Sequence, residues 1–289
     1  MKKAFIQLHI AVLLAGFTGI LGKVITLNEG LLVWYRLMIT SVALWILFFF
    51  RKNLTIIPVK DIFKIFGVGV IAALHWVCFY GSIKYANVSI GLVCFSAIGF
   101  FTAIMEPLLF RSRINIKELF LGLLVIAGIY FIFRFDPHYK TGILIGLISA
   151  LFGSMFPILS RRLLQRINSE TVTLYEITGG FLFLTLLLPL YLHIFPVHSI
   201  LPAAQDWIWL LFLSLFCTVI AFNLSMSALQ KISAFTVNLT FNLEPVYGII
   251  LAFLVLKENK YLGRGFYFGF SLIVLAIALQ MAMLWRKRK

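Results

Sequence analysis

Apolar positions run almost unbroken along the chain, in stretches of about 20 residues separated by short clusters of charged residues, Asn, Gly or Pro. Such runs match neither the alternation of a half-buried strand nor the narrow stripe of a surface helix. Runs this long and uniform belong to helices surrounded by hydrocarbon or by one another. Ten of them can be marked, at 4–22, 31–50, 64–83, 87–109, 116–134, 141–159, 171–193, 207–228, 233–256 and 262–285. Abrupt stops divide them, as at Asn28-Glu29-Gly30, Arg51-Lys52-Asn53, Arg111-Ser112-Arg113 and Asp136-Pro137-His138. The fourth and ninth runs differ from the rest in containing a Glu-Pro pair. The pattern predicts an all-α integral membrane protein of ten transmembrane helices.

Composition narrows the alternatives. Of 289 residues, 62% are hydrophobic and 12% charged, against about 45–50% and about 25% in a soluble domain. Ten spans leave room only for short loops, which excludes a sizeable extramembrane domain and a disordered chain. Cys78, Cys94 and Cys217 all lie inside apolar runs, without redox or metal-ligand spacing, and read as small core residues. No small-residue cleavage site follows the first run, so it reads as a span and not as a removable leader.

The net charge of +15 would suggest nucleic acid in a soluble protein. Here it sorts by side. With the amino terminus in the cytoplasm, 17 Lys and Arg residues fall inside, including Lys60, Lys64, Arg111, Arg113, Arg161, Arg162, Arg166 and the Arg286–Lys289 tail. Seven fall outside: Lys23, Lys84, Arg134, Lys140, Lys257, Lys260 and Arg264. This asymmetry places both termini in the cytoplasm. It makes the lipid bilayer the partner of the positive charge and leaves no call for nucleic acid.

The two halves are weakly similar. A shift of about 140 residues sets Trp34-Tyr35-Arg36 against Leu174-Tyr175-Glu176. A shift of 146 sets Ser82–Tyr85 against Ala228–Lys231 and Gly99 against Pro245. Five spans is an odd number, so a second copy enters the membrane inverted, the arrangement by which transporters expose a midplane site to either side. The halves are expected at 1–136 and 137–289.

Three stretches carry a family resemblance: 11–23, the pair 79–93 and 222–237, and 244–258 with its Glu244-Pro245 and Lys257-Glu258. On these the chain resembles the EamA group of the drug/metabolite transporter superfamily, over nearly its whole length. The resemblance implies two five-helix repeats, with a Pro in the fourth helix of a repeat and a Glu at that helix's end. It also implies export of amino acids or other small metabolites across a bacterial inner membrane. In the first half the Pro position is Gly99 and the Glu position is Ser112, while Glu106-Pro107 falls out of register.

Polar groups inside spans are the candidate site, because an ionisable side chain in hydrocarbon needs a partner or a cavity. Arg36 and Glu176, at corresponding places, read either as substrate contacts or as side chains reaching for the interface. On the ninth helix Asn238, Asn242 and Pro245 share a face, and Glu244 lies beside it. With Pro245 and Gly99 as hinge positions, this helix is expected to be kinked and to line a cavity. His75, Trp76, Phe79 and Tyr80 form an aromatic face on the third helix, with Asn223 and Ser227 offered from the eighth. Such walls suit a small amphipathic organic solute. His75 reads either as a proton-coupling group or as a hydrogen-bonded structural residue. Gly142/Gly146 and Gly265/Gly269 read as close helix contacts within the monomer.

No HExxH, GxSxG or glycine-rich phosphate loop is present, so the sequence suggests neither an enzyme nor a cofactor. A channel or scaffold has no need of an inverted repeat. A secondary transporter of a small organic metabolite is the reading these features favour, and a flippase for a lipid or lipid-linked sugar is the alternative that would share its fold.

Overall fold

The structure, a computed structural model, describes residues 2–51, 54–135, 137–197, 199–241 and 243–286. Among these every regular element is a helix. Among the described residues nine helices are long and apolar enough to cross a membrane: α1 (Lys2–Val24), α2 (Glu29–Phe50), α3 (Val59–Tyr85), α4 (Val88–Phe110), α5 (Ile116–Arg134), α6 (Lys140–Leu164), α7 (Ser169–Ile194), α8 (Ala204–Leu229) and α9 (Thr236–Leu256). The chain continues into α10 (Arg264–Arg286). These helices fall on the apolar runs. Asn242, Lys52, Asn53, Asp136 and the last three residues of the basic tail, for all of which the sequence raises expectations, lie outside the described residues.

Local chemistry repeats between the halves. The side-chain oxygen of Asn28 accepts the amide of Leu31 at 2.9 Å at the start of α2. Asn168 does the same for Thr171, also at 2.9 Å, at the start of α7. Each cap satisfies one of the amides that a helix start leaves open. At the other end of the repeat, α4 stops at Arg111 (φ 53°) and α9 at Lys257 (φ 56°), both in the left-handed conformation. That conformation terminates helices and is unusual for residues with a side chain.

Helix contacts follow the same logic. α3 packs along α6 and α7, and α8 packs along α1 and α2; α4 meets α6 as α9 meets α1. The pairs α2–α7, α4–α9 and α5–α10 map onto themselves when the halves are exchanged. The chain is therefore arranged about an approximate two-fold axis.

Glycines set the closest approaches. A Cβ on Gly128 would lie 2.6 Å from the carbonyl oxygen of Gly269, and one on Gly269 would meet the Gly128 carbonyl in return, so α5 and α10 cross backbone to backbone. A Cβ on Gly180 would lie 2.8 Å from the Gly69 carbonyl where α3 meets α7. Gly142 and Gly146 bring α6 onto Ser82 of α3 and Cys94 of α4. The small residues thus serve packing inside one chain.

Four spans depart from regular α-helix, one of them α9, which is π-helical over Ala252–Leu256. α1 turns at Phe17, whose amide bonds the Leu14 carbonyl at 3.3 Å. α4 turns at Ser96-Ala97, with the Ala97 amide on the Cys94 carbonyl at 3.1 Å. α8 is π-helical over Leu215–Ile220. Gly99 is buried two residues past the α4 turn, and Pro245 is buried just inside the first turn of the described second segment of α9, Leu243–Leu251.

Candidate substrate cavity

A partly open cavity of about 690 Å3 lies where the two halves meet. Among the described residues, α5, α7 and α10 contribute nothing to it. α1 supplies Ala11, Ala15 and Thr18; α2 supplies Arg36; α3 supplies His75, Trp76 and Phe79; α4 supplies Phe95 and Ile98. From the second half come Gly153, Phe156 and Pro157 of α6, Cys217, Ala221, Phe222 and Ser225 of α8, and Val237, Asn238, Phe241 and Glu244 of α9.

The register of the repeat reappears in this lining. A shift of 146 pairs His75 with Ala221, Trp76 with Phe222, Phe79 with Ser225, Phe95 with Phe241 and Ile98 with Glu244, and both members of every pair face the cavity. The frame is symmetric and the chemistry is not. Arg36 and His75 stand on one side, with Glu244, Asn238 and Ser225 on the other.

Arg36 is 3% exposed and held from three directions. Its Nε donates to the Thr218 hydroxyl at 2.8 Å. Its Nη1 donates to the Tyr80 hydroxyl, also at 2.8 Å. Its guanidinium carbon lies 4.4 Å from the centre of the Trp76 ring, within the range of a cation–π contact. The expectation that Arg36 reaches for the interface is corrected: a buried hydroxyl pair and an indole face retain it inside. Its remaining donors are available to a ligand.

Glu244 is 4% exposed, and its Oε1 accepts a long contact of 3.4 Å from the Thr18 hydroxyl. Arg36 and Glu244 form no ion pair within 4.0 Å. Asn238 donates to Thr102 Oγ1 at 2.9 Å, joining α9 to α4.

The aromatic wall is continuous. The His75 ring centre lies 5.3 Å from that of Phe95 and 6.0 Å from that of Phe156. Phe156 stacks on Phe222 at 6.0 Å, and Phe222 lies 5.8 Å from Trp76. His75 Nδ1 lies 2.9 Å from the Ser149 carbonyl and 3.0 Å from the Ser149 hydroxyl, so that nitrogen is engaged by α6.

One end of the bundle is tied across the halves by polar links, those of Glu258 buried and the others part-buried. The Thr26 amide and hydroxyl donate to the Asp206 carboxylate at 3.1 and 2.6 Å. The Tyr191 hydroxyl donates to Glu29 at 3.1 Å and accepts the Gly30 amide at 3.3 Å. Glu258 accepts the amides of Val88 and Ser89 and the Ser89 hydroxyl at 3.0, 2.9 and 2.6 Å. The opposite end carries Arg161, Arg162 and Arg166.

The EamA-like transporter family matches the chain twice, over residues 2–134 and 140–282. The chain belongs to the EamA-like transporter family. An uncharacterized transporter of Bacillus subtilis, YetK, is 26% identical over 273 residues, covering 88% of this chain and 80% of the relative. An uncharacterized transporter of Haemophilus influenzae is 28% identical over 163 residues, about half of each chain. A solved crystal structure with 18% sequence identity superposes over 100% of both chains with a TM-score of 0.69, which establishes a shared fold. The protein is thus a multi-pass membrane transporter.

Within this EamA-like frame, Arg36, His75, Trp76, Phe79, Asn238 and Glu244 are brought together, and Tyr80 supports Arg36 from behind. Asn223, Ser227, Glu176 and the two hinge positions, Gly99 and Pro245, stand apart. Asn223 turns its amide back to the Val219 carbonyl at 2.7 Å. The Ser227 hydroxyl lies 3.4 Å from that of Ser169. Glu176, 1% exposed, accepts the Ser160 hydroxyl at 2.6 Å, between α7 and α6 and away from the cavity. Pro245 is buried and does not line the cavity. Ser225, Thr18, Phe156 and Phe222 line the cavity without having been singled out. The register of 146 already pointed to Phe222 and Ser225, whereas choosing by polarity led to Asn223 and Ser227.

Proposed function

We propose that this EamA-like protein is a secondary transporter that exports a small zwitterionic metabolite, such as an amino acid, by alternating access at the cavity. The observation that carries this reading is the spacing of Arg36 and Glu244. Two buried groups of opposite charge line one cavity without pairing. Each unpaired charge in a low-dielectric interior costs several kcal/mol. A solute with a carboxylate and an ammonium group completes both, the carboxylate against the free donors of Arg36 and the ammonium against Glu244. Trp76, Phe79, Phe156 and Phe222 then receive its apolar part.

The odd number of helices in each half supports an inverted pair, and the symmetric helix contacts support one half rocking against the other. Charge sorting favours the arginine-rich end as cytoplasmic and the end tied by Asp206, Tyr191 and Glu258 as outer. In this arrangement the outer side is shut. The bacterial source of the relatives supports an inner-membrane location.

Metabolite profiling of cells with and without overexpression, followed by counterflow of the altered solutes in proteoliposomes, tests the reading. Accumulation of zwitterionic solutes outside the cell is expected, with counterflow lost in Glu244→Gln. A change confined to lipid-linked species, or undiminished counterflow in Glu244→Gln, overturns it.

A further inference from the structure

The second large cleft lies at the arginine-rich end, between α3 and α6, and encloses about 1130 Å3. The two helices touch through Gly142, Gly146 and Gly153 farther along, and the cleft lies beyond these contacts toward Asp61 and Arg166. Its mouth holds Lys64, Arg162 and Arg166 against a single carboxylate, Asp61, which pairs with Lys64 at 2.6 Å. Arg162, in the last turn of α6, and Arg166, in the turn that follows it, are both exposed, and the charge of Arg166 acts on Asp61 across the mouth. Deeper in, the lining becomes apolar, with Val68 and Ile71 on α3 and Leu159 on α6. Gly67 stands between the two zones, and nothing lies within 4 Å of where its Cβ would be.

This gradient from cations to a vacant apolar furrow runs about 10 Å along each helix, seven residues at 1.5 Å each. We propose that the cleft binds an anionic phospholipid, with its phosphodiester on Arg162, Arg166 and Lys64 and the upper part of one acyl chain in the furrow beside Gly67. A soluble anion would need no furrow, and an acyl chain alone would need no arginines. Basic pockets between helices at the membrane surface suit such head groups.

The cleft is not a by-product of the repeat. Register-related positions at the other end place Asp206 and Leu210 at Lys60 and Lys64 and, in the register of the Asn28 and Asn168 caps, Gly22 and Thr26 at Arg162 and Arg166. There Asp206 is tied to Thr26. Only one half carries the basic mouth.

The test uses the purified full chain in detergent, with phosphatidylglycerol, phosphatidylcholine and inorganic phosphate as probes, read by melting temperature and by native mass spectrometry of bound lipid. Phosphatidylglycerol is expected to bind and to raise the melting temperature more than phosphatidylcholine. Arg162→Gln/Arg166→Gln should weaken its binding by about 30-fold, at about fivefold per basic residue. Gly67→Phe, at a position open to a side chain, should keep the lipid-free melting temperature and lose the bound lipid. Equal binding of the two lipids overturns the proposal, as does full retention in both variants. Inorganic phosphate reproducing the whole effect would make the cleft a soluble-anion site, which also overturns it.

Discussion

The carboxylate of Glu258 grips Ser89 twice, at the backbone amide (2.9 Å) and at the hydroxyl (2.6 Å), across 169 residues of sequence. With the Val88 amide added, one oxygen pair satisfies the start of α4, where an anion meets both open amides and the positive end of the helix dipole. The register-related position in the first half is Ser112, which follows Arg111 as Glu258 follows Lys257. Ser112 has no carboxylate to offer. The two ends of an otherwise symmetric bundle are therefore held unequally.

Glu258→Gln should loosen the end that Glu258 ties, because charge-assisted hydrogen bonds are worth about 1.5–3 kcal/mol. A cysteine placed at Leu27, only 7% exposed at this end, would react faster with an impermeant maleimide in the Glu258→Gln background, roughly tenfold or more. Equal labelling rates would mean the link does not control access.

Arg36→Lys should abolish counterflow while leaving a folded protein. A lysine ammonium cannot reproduce a fork that meets Thr218, Tyr80 and a ligand from one plane. Tyr80→Phe removes a single hydrogen bond and should cost about 1 kcal/mol of stability. Comparable transport in Arg36→Lys and the parent would remove Arg36 from the binding wall.

Ser225→Trp should block transport by filling the cavity, whereas Asn223→Ala and Ser227→Ala should leave it near the parent level. The comparison is internal to one helix, so general damage to α8 would affect all three. Inhibition by Asn223→Ala alone would place the wrong face of α8 inward.

Glu176→Gln should fold normally, and Glu176→Ala should lower the melting temperature. Ser160 has one hydroxyl proton, yet it lies 2.7 Å from the Phe156 carbonyl and 2.6 Å from Glu176. A glutamine amide supplies a second proton for this pair of contacts. Alanine leaves a void and removes a partner, at about 2–3 kcal/mol. Equal melting temperatures for the two variants would show that the pair contributes nothing.

The spans were legible because hydrophobicity is a property of each run by itself. The cavity was half legible. His75, Trp76 and Phe79 declare themselves by aromatic spacing on one helix, and Arg36 and Glu244 by charge in an apolar setting. Phe156, Phe222 and Ser225 carry no such mark among 30 phenylalanines and many serines; the repeat register distinguishes Phe222 and Ser225, and Phe156 is placed by the packing of α6 alone. Glu176 has the same local signature as Glu244, and what separates them is which helix each one faces. The partner of Glu258 lies in the other half, and no local pattern names it.

Gly128 and Gly269 each receive the other's carbonyl where a side chain would stand. They are also counterparts, 141 residues apart, so their contact lies close to the line about which the halves interchange. In the proposed cycle, points on that line stay still while the halves trade positions. A contact too close to be parted and remade is tolerable there. α5 and α10 then form a fixed spindle, and the sliding falls to helices whose facing side chains are aromatic rings able to slip past one another.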